Sequence, residues 1–164
     1  MATRPSFLAI AEGQFGVITA KTAVSAIRYF PNRVVGVLDS SARGRTVQEV
    51  LGFGGAIPIV RTFEDGLALR PEAILIGTAP RGGRLPAEWK GWLETAIDRG
   101  LEVWSGLHTF LSDDPDLAAR ASAGASGSWT CASLPTISRC PTLARAWWTR
   151  WWCSRWAPTA TRGR

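Results

Sequence analysis

The chain has 164 residues and a formal net charge of +6. Its length suits one domain with a sizeable core and is too short for two ordinary domains. A basic chain would suggest a nucleic-acid or membrane partner. However, all thirteen acidic residues and twelve of the basic ones lie at or before Asp116, so the excess positive charge belongs to the tail alone.

Short apolar runs alternate with segments of helical period through the first two thirds of the chain. The apolar runs predict strands over residues 7–10, 34–38, 57–60, 73–76 and 101–104. Helices are predicted over residues 22–29, about 63–69 and 87–99. Gly100 follows the last helix, in the position where a left-handed residue ends a helix and glycine is favoured.

The strands are apolar without alternation and are separated by helices, which indicates a parallel sheet covered on both faces. Right-handed crossovers then give a Rossmann-like, doubly wound α/β fold of about five strands. We predict this domain over residues 6–119. The loops that follow the strands meet at one edge of such a sheet, and ligands bind there.

The first strand leads into two glycines, Gly13 and Gly16. Backbone N–H groups and a helix dipole at such a turn favour an anion. Lys21 and Thr22, at the expected helix start, strengthen the prediction of a phosphate or carboxylate site. The spacing is not GxGxxG, however, and glycines that only permit a tight turn are an equal alternative.

Asp39 ends the second strand. Dinucleotide-binding folds place there the acid that accepts a hydrogen bond from a ribose hydroxyl. The residue could equally cap its own loop without touching a ligand, and both interpretations stay open.

The loop over residues 77–86 is rich in glycine, proline and arginine, more so than a simple connection needs. We predict a ligand-binding loop here, with the candidate residues Thr78, Arg81, Gly82, Gly83 and Arg84.

The fifth strand leads to two further candidates. Ser105 lies where the last of the five loops begins, and His108 is the only histidine of the chain. A histidine at a strand end could act as an acid or base near neutral pH. A structural histidine that caps a helix is the alternative. No catalytic residue can be named, and no metal site is expected.

The composition changes sharply after residue 120. All three cysteines and six of the nine tryptophans lie there, with no lysine, aspartate or glutamate. The cysteine spacing matches no zinc pattern and gives no disulfide framework. We predict that residues 120–164 form a low-complexity, Trp/Arg-rich tail that is irregular or disordered. A tail that stacks on nucleic acid or binds a membrane is the alternative, although we expect neither partner.

The sequence lacks the pattern of a secretory leader, and no stretch reaches the ~18 apolar residues of a membrane span. We therefore expect a cytoplasmic protein.

Seven stretches of residues 6–119 match one family in order and at similar spacing. They are EGQFG, AKTA, IRYFPNRVVGVLDS, ARGRTVQEVLG, IPIV, IGTAPRGGRLPAEW and SGLHTFLSDDPDLAA. The chain resembles the N-terminal Rossmann-like half of the D-glutamate N-acetyltransferase family, long known as an uncharacterised family and sometimes labelled NAD-dependent epimerase/dehydratase-like.

This resemblance implies an enzyme that uses acetyl-CoA to acetylate D-glutamate, that is a homodimer, and that carries a second, P-loop-like domain. The chain has no room for that domain, so we expect a truncated, ligand-binding half that is inactive alone. An alternative is an NAD(P)-binding module of oxidoreductase or epimerase-like type that uses Gly13, Gly16 and Asp39. A partner-binding subunit without catalysis is a third possibility.

The codons of the tail suggest a displaced reading frame. Tryptophan has the single codon TGG. If the third base of each codon is read together with the first two bases of the next codon, the tryptophans largely determine which amino acids codons 147–153 would encode in that second frame. The encoded product is Val, Asp, a small residue, an apolar residue, Val and Val, which resembles the strand before the family's P-loop. Residues 121–138 permit AERRGVGIVDVREPPDDL, which resembles the family's continuation. We therefore expect a frameshift near Arg120, real or a sequencing error.

Overall fold

A six-stranded, wholly parallel sheet runs through the part of the chain that the computed structural model describes. The described residues are 5–42, 45–80, 83–107, 111–123 and 130–131, and they lie in a unit that spans Met1–Ser133. The strands are β1 Phe7–Ile10, β2 Val34–Leu38, β3 Ile59–Val60, β4 Ala73–Ile76, β5 Glu102–Ser105 and β6 Thr130–Cys131. Their order in the sheet is β3-β2-β1-β4-β5-β6. This order is that of a doubly wound Rossmann sheet, which confirms the predicted fold class.

Five α-helices connect or follow these strands among the described residues. They are α1 Lys21–Tyr29, α2 Val47–Leu51, α3 Phe63–Ala68, α4 Ala87–Asp98 and α5 Pro115–Ala123. The order of strands reverses between β1 and β4, so β1 lies at the centre and the chain winds outward in both directions. In such a sheet the crevice at the carboxyl ends of the strands beside this switch point is the usual place for a ligand.

The core has two layers, one on each face of the sheet. Alternate residues of β1 divide between them: Phe7 and Ala9 pack with α1 and α2, whereas Leu8 and Ile10 pack with α3, α4 and α5. All four residues are buried. Because both faces of the sheet are covered, the sequences of the central strands are unbroken apolar runs, as is typical of a parallel sheet.

Local capping groups fix the shorter helices. Thr46 and Glu49 form a capping box at the start of α2, and Gly52 ends that helix with a left-handed φ of 77°. Thr62 accepts a hydrogen bond of 3.1 Å from the Asp65 N–H at the start of α3. These side chains satisfy N–H groups that the first turn of a helix leaves without partners.

The end of α4 is a Schellman motif. The Gly100 N–H donates to Ile97 O at 2.8 Å and the Leu101 N–H donates to Ala96 O at 2.9 Å. Gly100 has a φ of 76°, which confirms the predicted glycine cap. Because Leu101 belongs to this motif, β5 begins at Glu102, one residue later than predicted.

The outer edge of β3 is covered by the segment that leads into α2. Thr46 forms an antiparallel bridge with Pro58, and the Ile59 N–H donates to Arg45 O at 3.1 Å. This pairing occupies an edge that would otherwise be open to another strand. Strand β3 itself spans Ile59–Val60, shorter than the predicted run over residues 57–60.

Three observed elements differ from the prediction. Helix α2 was not predicted. Helix α5 extends to Ala123, where residues from 120 onward were expected to be irregular, and its residue Ala121 is buried in the core. Strand β6 pairs in parallel with β5 and adds a sixth strand to the five predicted. The rest of the predicted tail lies outside the described residues.

Two cations join α4 to the segment that contains α5. Lys90 forms ion pairs with Asp114 at 2.9 Å and with Asp116 at 2.7 Å. Arg120 pairs with Asp98 at 2.8 Å and with Glu94 at 3.6 Å. The hydrogen bonds that Lys90 donates to Asp116 and Asp114 raise the pKa of Lys90 to about 12, and the one to Asp114 lowers the pKa of that carboxyl group.

Candidate functional site

The loop between β1 and α1, residues 11–20, forms the centre of the candidate site. It is ten residues long, so Gly13 and Gly16 stand well before the start of α1 at Lys21. Gly13 has a φ of 67°, a left-handed conformation that glycine adopts without strain. The loop closes on itself, because the Gln14 N–H donates to Ala11 O at 2.9 Å and the Ala20 N–H donates to Gly16 O at 3.0 Å.

Asp39, at the end of β2, holds this loop in place. Its Oδ1 accepts from the N–H of Gly13 at 3.1 Å, and its Oδ2 accepts from the N–H of Phe15 at 3.0 Å. The N–H and hydroxyl of Ser41 also donate to Oδ1, at 2.8 and 2.5 Å. The residue is only 1% exposed. The N–H groups of the glycine turn that could face a bound anion therefore point instead at a carboxyl group of the protein itself.

Glu12 makes the reciprocal contact. It follows β1 and accepts hydrogen bonds from the N–H of Ser40 at 3.0 Å and from the Ser40 hydroxyl. Each of the two strand ends thus sends a carboxylate to the backbone of the other. We call this arrangement of Glu12, Asp39 and the groups that donate to them the carboxylate brace. It joins the loops after β1 and β2 into one unit.

A cavity of about 530 Å³ opens beside the brace. It is lined by Gly13, Gln14, Phe15, Thr19 and Ser41. The lining contains one aromatic ring, two hydroxyls and one carboxamide, which suits a small polar ligand with an apolar part. Its position at the ends of β1 and β2 is the edge at which the sequence predicts ligand binding.

Thr78 links this cavity to β4. It is 4% exposed, and its hydroxyl oxygen lies 3.2 Å from both Gln14 Oε1 and Thr19 O. Thr19 in turn donates its hydroxyl proton to Gln14 O. The predicted residue Thr78 therefore contacts two residues of the candidate site, the side chain of Gln14 and the backbone of Thr19.

The start of α1 lies on the other side of the loop. The helix begins at Lys21 with no acidic residue in its first turn and no side-chain cap. Lys21 is exposed and Thr22 is half-buried. The Ala23 N–H donates to Gly77 O at 3.0 Å, so the backbone of the loop after β4 occupies part of the helix start. The Thr22 hydroxyl oxygen lies 3.9 Å from the position that a Cβ on Gly106 would take, which brings the loop after β5 near it.

The remaining predicted residues are placed as follows. Ser105 is buried at the end of β5, and its hydroxyl oxygen accepts from the Leu107 N–H at 3.1 Å. Gly83 is buried with a φ of 65°, and its N–H donates to Pro80 O at 2.9 Å. Arg84 is exposed. Arg81, Gly82 and His108 lie outside the described residues.

Several residues of the site were not predicted from the sequence as binding or positioning groups: Glu12, Gln14, Phe15, Thr19, Ser40 and Ser41. Glu12 and Gln14 belong to the EGQFG stretch, in which only the glycines were selected. Glu12 is the first polar residue after the apolar strand β1, as Asp39 is after β2, and this shared position was the available signal. Gln14 gave none, because its contact with Thr78 joins residues 64 positions apart.

The comparisons with known proteins identify the family. Residues 40–129 match the model of a family described as a domain of unknown function, DUF1611_N, a Rossmann-like domain. The chain belongs to this family. The match covers more than half of the 164 residues, and it confirms the family predicted from the seven matching stretches.

Two relatives place this DUF1611_N domain in longer proteins. The chain is 33% identical over 108 residues to a D-glutamate N-acetyltransferase from Tritonibacter scottomollicae, in a match that covers 65% of this chain and 29% of that one. It is 31% identical to a DUF1611 family protein from Anabaena variabilis ATCC 29413, whose crystal structure superposes with a TM-score of 0.64 over 71% of this chain and 33% of the other. The chain thus spans about a third of the length of these relatives.

No helix within the described ranges is both long enough and apolar enough to cross a membrane. The same residues hold no group of three or more His, Cys, Asp or Glu side chains that could bind a metal ion.

Proposed function

We propose that this DUF1611_N domain is the ligand-binding, N-terminal part of a D-glutamate N-acetyltransferase-like enzyme. Such an enzyme transfers the acetyl group of acetyl-CoA to the amino group of D-glutamate and acts as a homodimer in the cytoplasm. The relative that carries this name supports the proposal. Because the chain spans 29% of that relative, we propose that this stretch binds ligand but does not catalyse acetyl transfer unaided.

The observation that carries the proposal is the use of Asp39 within the protein. In a dinucleotide site, the acid after the second strand accepts from a ribose hydroxyl, and the amides of the glycine turn face the pyrophosphate. Here the Gly13 and Phe15 amides donate to Asp39 itself. A dinucleotide would have to displace a buried carboxylate from its donors, whereas a small ligand can use the cavity beside the brace.

The alternative is an NAD(P)-binding module of oxidoreductase or epimerase-like type. The strand order and the position of Asp39 favour it, since both are those of dinucleotide-binding folds. The contacts of Asp39 favour the interpretation of this residue as a loop cap. The two proposals therefore make opposite predictions for NAD binding.

Calorimetric titration of the full chain with D-glutamate, acetyl-CoA and NAD⁺ tests the proposal. We expect heat of binding with D-glutamate or acetyl-CoA and none with NAD⁺ at the same concentrations. Glycine is the matched control for D-glutamate, because it keeps the α-amino acid group and lacks the side-chain carboxylate. Saturable binding of NAD⁺, without a response to the other two ligands, would replace the proposal by its alternative.

We also propose that the residues beyond about position 120 derive from a displaced reading frame. The change of composition and the Val and Asp residues that tryptophan codons fix in the second frame support this. Sequencing the gene across codons 115–130 tests it. We expect that restoring the frame yields the family-like continuation, and a second frame with no such continuation would exclude the frameshift.

A further inference from the structure

The hydrogen-bond donors of the cavity lining are mostly used by the protein itself. The N–H groups of Gly13 and Phe15 and the hydroxyl of Ser41 all donate to Asp39. The hydroxyl of Thr19 donates to a backbone carbonyl of the same loop. A ligand in this cavity therefore meets few free donors from these residues.

Among the side-chain donors of the lining, Gln14 is the exception. Its side-chain oxygen is the atom that lies 3.2 Å from the buried hydroxyl of Thr78. The two N–H groups of the same carboxamide have no partner among the residues that the structure describes. Gln14 is half-buried and lines the cavity, so the carboxamide is held at its oxygen and can donate from its nitrogen.

We propose that the Gln14 side-chain amide binds a carboxylate oxygen of the ligand. A carboxylate accepts from such an amide with a charge-assisted hydrogen bond. A phosphate fits less well, because phosphate sites use several backbone N–H groups and a helix start. In this turn the N–H groups of Gly13 and Phe15 already donate to Asp39, and that of Gln14 donates to Ala11 O. This inference rests on the proposed function, and it identifies the residue that would recognise a carboxylate of D-glutamate or a similar acid.

Selective isotope labelling gives a direct test in the full chain. The sequence contains two glutamines, Gln14 and Gln48, so a chain labelled with ¹⁵N at the glutamine side chains gives two pairs of NH₂ signals. Gln48 lies in α2, is exposed, and donates to Gly52 O at 2.8 Å. We expect D-glutamate to shift the Gln14 signal and leave the Gln48 signal unchanged. The variant Gln14→Glu assigns the two signals.

Binding measurements on variants test the direction of the hydrogen bond. Gln14→Glu replaces the donor by a negative acceptor, so we expect D-glutamate to bind about tenfold more weakly or worse. Glutarate, which keeps both carboxylates and lacks the amino group, should show the same loss. Gln48→Glu introduces the same charge change outside the cavity and should leave binding unchanged. Thr78→Val removes the hydroxyl that holds the carboxamide and should cause a smaller loss.

Each outcome supports or overturns one of the two proposals. If the wild-type chain binds D-glutamate and Gln14→Glu binds it equally well or better, the Gln14 amide does not donate to the ligand and the inference is wrong, while the proposed function stands. If glutarate binds and shifts the Gln14 signal but D-glutamate does neither, the inference stands and the proposed substrate is wrong. If neither acid binds the wild-type chain, the inference is wrong, and the proposed function is overturned as well when acetyl-CoA also fails to bind.

Discussion

Two pairs of acidic residues tie neighbouring segments together in this domain, in opposite environments. Glu12 and Asp39 form the carboxylate brace at the ends of β1 and β2, and their partners are mainly backbone N–H groups. Asp114 and Asp116 join α4 to the segment of α5 through Lys90, at the surface. Asp39 is 1% exposed, whereas the side chain of Asp116 is 69% exposed.

This difference in burial indicates in which of the two regions the structure depends on a single residue. A buried carboxylate with several donors leaves all of them without partners when it is removed, and each lost partner costs free energy. An exposed ion pair is replaced by water at small cost. The brace should therefore fix the shape of the site, and the ion pairs of Lys90 should adjust stability only slightly.

Replacing Asp39 tests the larger of these effects. In Asp39→Asn, one carboxylate oxygen becomes an NH₂ group that faces N–H donors of the loops. We expect the free energy of unfolding in urea to fall by about 3 kcal/mol, since hydrogen bonds to a charged group are lost and a buried donor is left unpaired. Asp116→Asn is the matched control at the surface and should change it little. Equal losses in the two variants would contradict the contrast.

Glycine substitutions compare the packing between the sheet and α1 with that on the surface of the ion-paired helix α4. A Cβ on Gly77, which follows β4, would lie 3.1 Å from Ile10 O and 2.5 Å from Ala23 Cβ. Gly77→Ala should therefore lower the free energy of unfolding by about 2 kcal/mol, because backbone must move to admit the methyl group.

Gly91, in the ion-paired helix α4, is the control for this substitution. It is exposed, and a Cβ there would meet no atom within 4 Å. We expect Gly91→Ala to raise stability by about 0.5–1 kcal/mol, since alanine is the better helix former. Thermal unfolding of both variants against the wild type would measure the two signs, and a stabilised Gly77→Ala would show that the contact of Gly77 with Ile10 and Ala23 is loosely packed.

The central strands could be predicted because burial on both faces of the sheet favours an apolar residue at every position of these strands. Strands β1, β2 and β4 have the predicted bounds, and each is an apolar run without alternation. Helix α2 is short and is defined more by its caps than by apolar period. The capping box of Thr46 and Glu49, followed by Gly52, was its available signal.

The site was less predictable because its contacts depend on loop conformation. The position of Asp39 after β2 could be read from the sequence, but its donors are set by the path of the ten-residue loop after β1. Because of the length of that loop, α1 begins only at Lys21, and the conformation of the loop directs the Gly13 N–H toward Asp39. Sequence patterns describe residues that are near in the chain, and Gly13 and Asp39 are 26 positions apart.

The smallest expected effect is the pH dependence of the ion pairs of Lys90. The pKa of Asp114 is lowered from 3.8, so its contribution to stability is present above that pH and is lost as the pH falls through the folded-state value. The pKa of Lys90 is raised from 10.5 to about 12, so its contribution to stability is present below pH 10.5 and is lost as the pH rises toward 12.

We therefore expect the variant Lys90→Met to be slightly less stable than the wild type between pH 3.8 and pH 10.5. The difference in the free energy of unfolding should become smaller outside this range and in high salt. Urea unfolding of both proteins at pH 3, 7 and 11 would measure this. A difference that stays constant across the three values would mean that Lys90 stabilises the contact between α4 and the α5 segment through packing of its alkyl chain and not through its charge.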